Sequence, residues 1–185
     1  MRYTRGKGGT ELVRRAQMGV SMAKTDKNAV THGATDDEAL RLDRQLCFPL
    51  YAASRKIVGL YTPVLKPLGI TYTQYLVFLA LWEHDGVPVG DLCRRLYLDN
   101  GTLTPLLKRM ERDGYLTRTR STTDERVVVV SLTKKGRELK ERARGIPAQI
   151  GTCVNLPHDE AATLYKLLYE LLLHDEHGTE TVDPA

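Results

Sequence analysis

Apolar positions along the chain follow no period at first. Residues 1–34 are polar and rich in Gly, Thr and Lys, which predicts a mobile tail. Thr35-Asp-Asp-Glu38 then reads as a capping box, with Thr35 covering an unpaired amide and Glu38 reaching back, so a first helix is expected from about Asp36. Leu40, Leu46, Leu50, Ile57 and Leu60 carry it forward; Pro49 should kink it, and Pro63 and Pro67 should end it. Thr71 to Glu83 follows as a second helix, apolar almost all round at Tyr75, Leu76, Phe78, Leu79, Leu81 and Trp82, and such a helix must be buried on most sides.

A compact arrangement comes next. Val89 to Leu96 predicts a short helix, Leu98-Asp-Asn-Gly101 a turn, and a further helix runs to Arg112 and ends at Gly114. That last helix could start anywhere from Asn100 to Thr104, with Pro105 near its first turn, where a missing amide costs least. Leu103, Leu106, Leu107 and Met110 stand at i, i+3, i+4 and i+7, while Thr102, Lys108, Arg109 and Arg112 occupy other faces. Two β-prone runs within 115–132 flank the polar turn Ser121 to Arg126 and predict a hairpin, with Arg118, Arg120 and Arg126 on or beside its tip. Thr133 caps a helix carrying Leu139 and Ala143, and Pro157 opens a last one carrying Leu164, Leu167, Leu168 and Leu171. A helix-turn-helix followed at once by a basic hairpin is the winged form. The fold expected is therefore α+β and mostly helical: a basic tail over 1–35, one domain over 36–177 with its DNA-binding part at about 87–132, and a flexible end at 178–185.

Charge sharpens this picture. The 185 residues carry a formal net charge of +4, but residues 1–28 hold seven Lys or Arg against two acids, whereas residues 157–185 hold one Lys against seven. A surface that binds a polyanion must therefore lie upstream of residue 157. The longest apolar runs, such as Tyr75 to Trp82, fall short of the roughly 20 residues a spanning helix needs, and the N-terminus lacks the apolar centre of a secretory signal. A cytoplasmic protein is expected, and Met22 is an alternative start.

Side-chain chemistry narrows the function classes further. Small polar and basic residues near the start of a reading helix can approach a DNA groove, which selects Asn100, Thr102, Thr104, Lys108 and Arg109 for phosphate or base-edge contacts. Arg118, Arg120 and Arg126 serve the wing, and Arg126 suits a narrow minor groove with Asp124 orienting it. Cys47, Cys93 and Cys153 are widely spaced, with no Cys/His spacing for zinc, so no metal and no cofactor are expected. In a reducing compartment each is either an inert core thiol or a redox-active one. No phosphate loop, Ser-His-Asp pattern or paired-carboxylate motif is present, which argues against an enzyme.

Four segments carry a family resemblance: Leu46-Cys-Phe-Pro-Leu-Tyr51, Leu68-Gly-Ile-Thr-Tyr-Thr-Gln-Tyr75, Leu96-Tyr-Leu-Asp-Asn-Gly-Thr-Leu-Thr-Pro-Leu-Leu107 and Asp124-Glu-Arg126. Over about Arg41 to Leu173 the chain resembles the organic hydroperoxide resistance regulators of the MarR family. The wing motif marks the broad family; the Cys47 segment with Tyr61 and Tyr72 marks the peroxide-sensing branch. The resemblance implies a homodimer built by the first and last helices, at about 36–66 and 134–174, that represses transcription from a pseudo-palindromic operator and leaves it when Cys47 is oxidised. It also implies that Tyr61 and Tyr72 hydrogen-bond the thiolate across the dimer interface. Tyr51 lies one turn from Cys47. With a helix starting near Asp36, Cys47 is too far along for the dipole to help, so hydrogen-bond donors must stabilise the thiolate. Some members of the family pair the oxidised thiol with a second cysteine, which implies a resolving role for Cys153, read here in the turn Gly151-Thr-Cys-Val-Asn155. Two rival readings remain: a MarR-type repressor released by a small phenolic ligand, and a thiol peroxidase.

Overall fold

The computed structural model describes Glu38, residues 40–154 and residues 156–173. The tail over 1–34, Met22, the Thr35 cap, Asp36 and the C-terminal end from residue 174 lie outside the described residues. The chain divides into two compact units, Met1–Ile57 and Val58–Ala185.

At the start of the described chain, helical structure is interrupted where the sequence suggested continuity. A 3-10 turn spans Leu42–Arg44, and extended backbone at Arg41 and Gln45 separates it from helix α1, Cys47–Leu65. Pro49 therefore starts a helix instead of kinking one: it is the third residue of α1, within the first turn, where its missing N–H has no intrahelical acceptor to lose. Pro63 stands inside α1, whose last residue is Leu65, and Pro67 falls in the 3-10 turn Lys66–Leu68.

Helix α2, Tyr72–Glu83, opens the second unit's core. The Thr71 hydroxyl accepts from the Gln74 amide at 3.3 Å and the Gln74 side-chain oxygen accepts from the Thr71 amide at 2.8 Å, a complete capping box that also satisfies a buried Gln74. Tyr75, Val77, Phe78, Ala80 and Leu81 are buried, as an all-round apolar helix requires, although Leu79 reaches solvent.

The reading module follows. Strand β1, Val87–Pro88, leads into α3, Val89–Leu96, and α4, Asn100–Arg112. Gly114 then takes φ 78°, a left-handed conformation that a side chain disfavours, and turns the chain into β2, Leu116–Arg120. Strand β3, Val128–Leu132, pairs antiparallel with both others in the order β1-β3-β2, with Arg118 opposite Val130 and Val87 opposite the same Val130. The third strand, β1, was unforeseen; two residues carry no alternation, and only pairing with β3 defines them. Leu92, Leu103, Leu107, Met110, Leu116 and Val130 are fully enclosed, each contributing about 1.5–3 kcal/mol through burial.

Helix α5, Lys134–Ala143, is capped by Thr133, whose hydroxyl accepts from the Gly136 amide at 3.2 Å. A Cβ at Gly136 would meet the Tyr115 carbonyl oxygen at 2.2 Å, so only glycine permits this approach. The Trp82 indole N–H donates to the Gly136 carbonyl at 3.0 Å and joins α2 to α5. Helix α6, Ile146–Cys153, was missed: Gly151 and Thr152 belong to its last turn, and Cys153 is its final residue instead of lying in a turn. Helix α7, His158–Leu173, has no buried residue; Leu164, Leu167, Leu168, Leu171, Leu172 and Leu173 are all exposed.

Candidate nucleic-acid interface and thiol sites

The start of α4 is built around Asp99. Its carboxylate accepts from the Thr102 amide and from the Thr102 hydroxyl, both at 2.8 Å, and these bonds, the hydroxyl's foremost, hold it below the ordinary carboxylate range. Thr102 is thus exposed, but its hydroxyl proton is already committed to the cap. Asn100 opens the helix, is exposed, and accepts from the Cys93 thiol on Oδ1 at 3.2 Å. Cys93 is half-buried. Lys108 and Arg109 are exposed and Thr104 half-buried, while Leu103, Leu107 and Met110 form the buried stripe. Pro105 sits deeper than anticipated, at the sixth residue of α4, because the helix starts at Asn100.

At the wing tip, Arg126 is 94% exposed and its Nε donates to Asp124 at 3.3 Å. The same Asp124 oxygen accepts the Arg126 backbone amide at 3.0 Å, so the acid orders both the turn and the arginine, as the sequence suggested. Arg120 reaches the Glu125 carbonyl at 3.5 Å. Arg118 departs from expectation. It stands in the middle of β2, and its guanidinium turns back onto Glu111 of α4 instead of pointing outward beside the tip. A partner seven positions away, across a helix-to-strand turn, has no signature in local patterning.

Cys47 is exposed and is the first residue of α1. The sequence reading placed it well inside a helix; instead it occupies the end whose unpaired amides favour negative charge. Tyr51, one turn on, is exposed and engaged by Arg55, whose guanidinium lies 5.6 Å from the ring centroid and donates to the hydroxyl at 3.4 Å. Within the second unit, Tyr61 and Tyr72 stand with ring centroids 4.8 Å apart, and Tyr75 adds a third ring 5.8 Å from Tyr61. Burial raises all three phenols, Tyr72 and Tyr75 further through Tyr61, so each stays protonated and a donor at neutral pH. Tyr75 stands at i, i+3 from Tyr72 on α2, which brings its ring to the same cluster. Cys153 is exposed at the end of α6. Among the described residues no His, Cys, Asp and Glu group could hold a metal, and no single helix is long and apolar enough to cross a membrane.

Residues 59–143 match the family model for the SarA/Rot transcriptional regulators. The organic hydroperoxide resistance transcriptional regulator of Bacillus subtilis strain 168 is 48% identical over 140 residues, which is 75% of this chain and 95% of that protein. Reduced AbfR bound to DNA superposes with a TM-score of 0.62 at 39% identity, covering 75% of this chain and 96% of that one. A disulfide form of AbfR gives 0.53 at 36% identity, covering 75% and 94%.

Proposed function

The chain belongs to the MarR-type transcriptional regulators, in the branch that includes the organic hydroperoxide resistance regulators, and on that premise we propose that it is a homodimeric, cytoplasmic repressor released from palindromic DNA when an organic hydroperoxide oxidises Cys47. The observation that carries this reading is Cys47 itself, exposed at the first residue of α1, in a chain whose reading helix and wing are fully built. Asn100, Thr102, Thr104, Lys108 and Arg109 face the groove, Arg120 serves the flanking backbone, and Arg126, oriented by Asp124, enters the minor groove at the flank. The exposed leucines of α7 supply the face on which two copies meet.

The chemistry needs only the peroxide. The Cys47 thiolate attacks an oxygen of the O–O bond; an S–O bond forms, the O–O bond breaks, and the alkoxide leaves and takes a proton, giving sulfenic acid and alcohol. Tyr61 and Tyr72 of the partner protomer are the donors that hold the thiolate across the dimer interface, a role their protonated phenols fit. The exposed Cys153 thiol of the partner protomer then condenses with the sulfenic acid, releasing water and forming an intersubunit disulfide. That reduced AbfR has been captured on DNA supports binding in the reduced state, and that AbfR also forms a disulfide supports the second step.

Purified protein should bind a palindromic duplex and release it on stoichiometric cumene hydroperoxide, with a covalent dimer on non-reducing electrophoresis. Cys47→Ser should keep binding and lose both responses, and Cys153→Ser should lose the covalent dimer. Steady peroxide turnover with a reductant would instead identify a thiol peroxidase, and release retained in Cys47→Ser would point to a ligand-released repressor.

A further inference from the structure

Glu111 and Arg118 make three hydrogen bonds. Glu111 Oε1 accepts the Arg118 backbone amide at 2.8 Å, and Oε2 accepts Nε at 2.9 Å and Nη2 at 2.7 Å. Both side chains are partly withdrawn from solvent, at 33% and 23% exposure. Isolated surface ion pairs contribute little, but one carboxylate gripping a guanidinium edge and a backbone amide together fixes orientation as well as distance. The amide matters because β2 is an outer strand in the order β1-β3-β2, so one side of it has no strand neighbour. Glu111, in the last turn of α4, takes that place. The reading helix is therefore fastened to the stem of the wing by a contact independent of the sheet.

We propose that Glu111 and Arg118 are positioning residues that set the wing's angle to the reading helix, and so determine how Arg126 meets the DNA flanks without touching DNA themselves. The inference rests on the DNA-binding reading above. Geometry gives the mechanism. The strand and turn carry the tip roughly 10 Å beyond Arg118 at about 3.3 Å per residue, so a tilt of about 10° moves the tip by roughly 2 Å. That displacement is enough to lose a hydrogen bond. Other charges near the tip do not replace the clamp: Arg120 is turned to the Glu125 carbonyl and Arg126 to Asp124, both within the wing's own turn.

The test uses a palindromic duplex selected by the wild-type protein from a random-sequence pool. Affinity is measured over a range of salt for Glu111→Gln, Arg118→Gln and the double variant, with thermal melting of each alongside. The clamp predicts that each single variant binds about tenfold more weakly and that the double variant is no worse than either. It also predicts the same change of salt slope in all three variants, because each loses the same wing contact, and hydroxyl-radical footprints that lose protection at the flanks while keeping it at the centre. A slope flattened by about 0.9 per lost phosphate contact in Arg118→Gln, with Glu111→Gln binding as well as or better than wild type, would make Arg118 a DNA contact and overturn the proposal. Additive losses, uniform loss of the footprint, or wild-type affinity in all three would overturn it as well. Failure of the wild-type protein to select any duplex would instead refute the DNA-binding reading.

Discussion

Leu107 of α4 and Leu167 of α7 are the same residue type on amphipathic helices of one unit, yet the first is fully enclosed and the second is 56% exposed. Around Leu107 the reading module closes on itself: Leu92, Leu103, Met110, Leu116 and Val130 surround it, caps at Asp99 and Thr133 satisfy the helix starts, and the sheet supplies the rest. Around Leu167 nothing closes. Leu164, Leu168, Leu171 and Leu172 share its helix and remain open to solvent, as do Leu40, Leu42, Leu46 and Phe48 in the first unit. Apolar surface on this scale has a favourable free energy of burial that the single chain leaves unrealised. The difference teaches that stability and assembly are divided: the centre folds from its own contacts, whereas these segments leave apolar surface open, the face we propose for a second copy.

Charging the open face should have the largest effect. Leu167→Asp with Leu171→Asp should abolish the dimer in sedimentation and weaken palindrome binding by on the order of 100-fold or more, because the two half-sites are then engaged independently. The melting of the reading module should change little. A dimer that survives both substitutions would place the interface elsewhere.

Leu107→Ala addresses the enclosed side. It should cost about 2–5 kcal/mol of unfolding free energy in denaturant titration, since a fully buried leucine leaves a cavity among rigid neighbours. The same truncation at Leu167 in the monomeric variant should fall within the small range of surface changes. Equal losses at both positions would contradict the division drawn above.

The smallest effect lies at the start of α4. Asp99 is held below its ordinary 3.8 by Thr102, so its contribution is fully present above that value and is lost as pH falls through the depressed one. Asp99→Ala should lower the melting temperature modestly at neutral pH, and the gap to wild type should close only below about pH 3.8. A gap that closes well above pH 3.8 would contradict a carboxylate held below its ordinary value.

Where local chemistry decides, the sequence was sufficient. The Thr133 cap, the stripe Leu103–Leu106–Leu107–Met110, and the wing with Asp124 ordering Arg126 all follow from neighbours within one turn, and all are present. What escaped depends on longer reach or on ambiguous prolines. Pro49 reads as a kink only if the helix starts far upstream; since it starts at Cys47, the same ring is a first-turn residue, and Cys47 gains a helix end. Helix α6 is eight residues with Pro147 near its start and Gly151 within it, a composition that also suits a turn. Strand β1 and the Glu111–Arg118 pairing exist through tertiary partners alone.

Trp82 is the chain's single tryptophan. Its indole stacks on Phe78 at 5.3 Å and donates to the Gly136 carbonyl, so it sits where the central helix meets the arm that follows the wing. The protein therefore carries its own optical gauge. Emission from one fluorophore, with no dye attached and no competing indole to subtract, reports whether that joint stays closed as DNA, salt or peroxide is added.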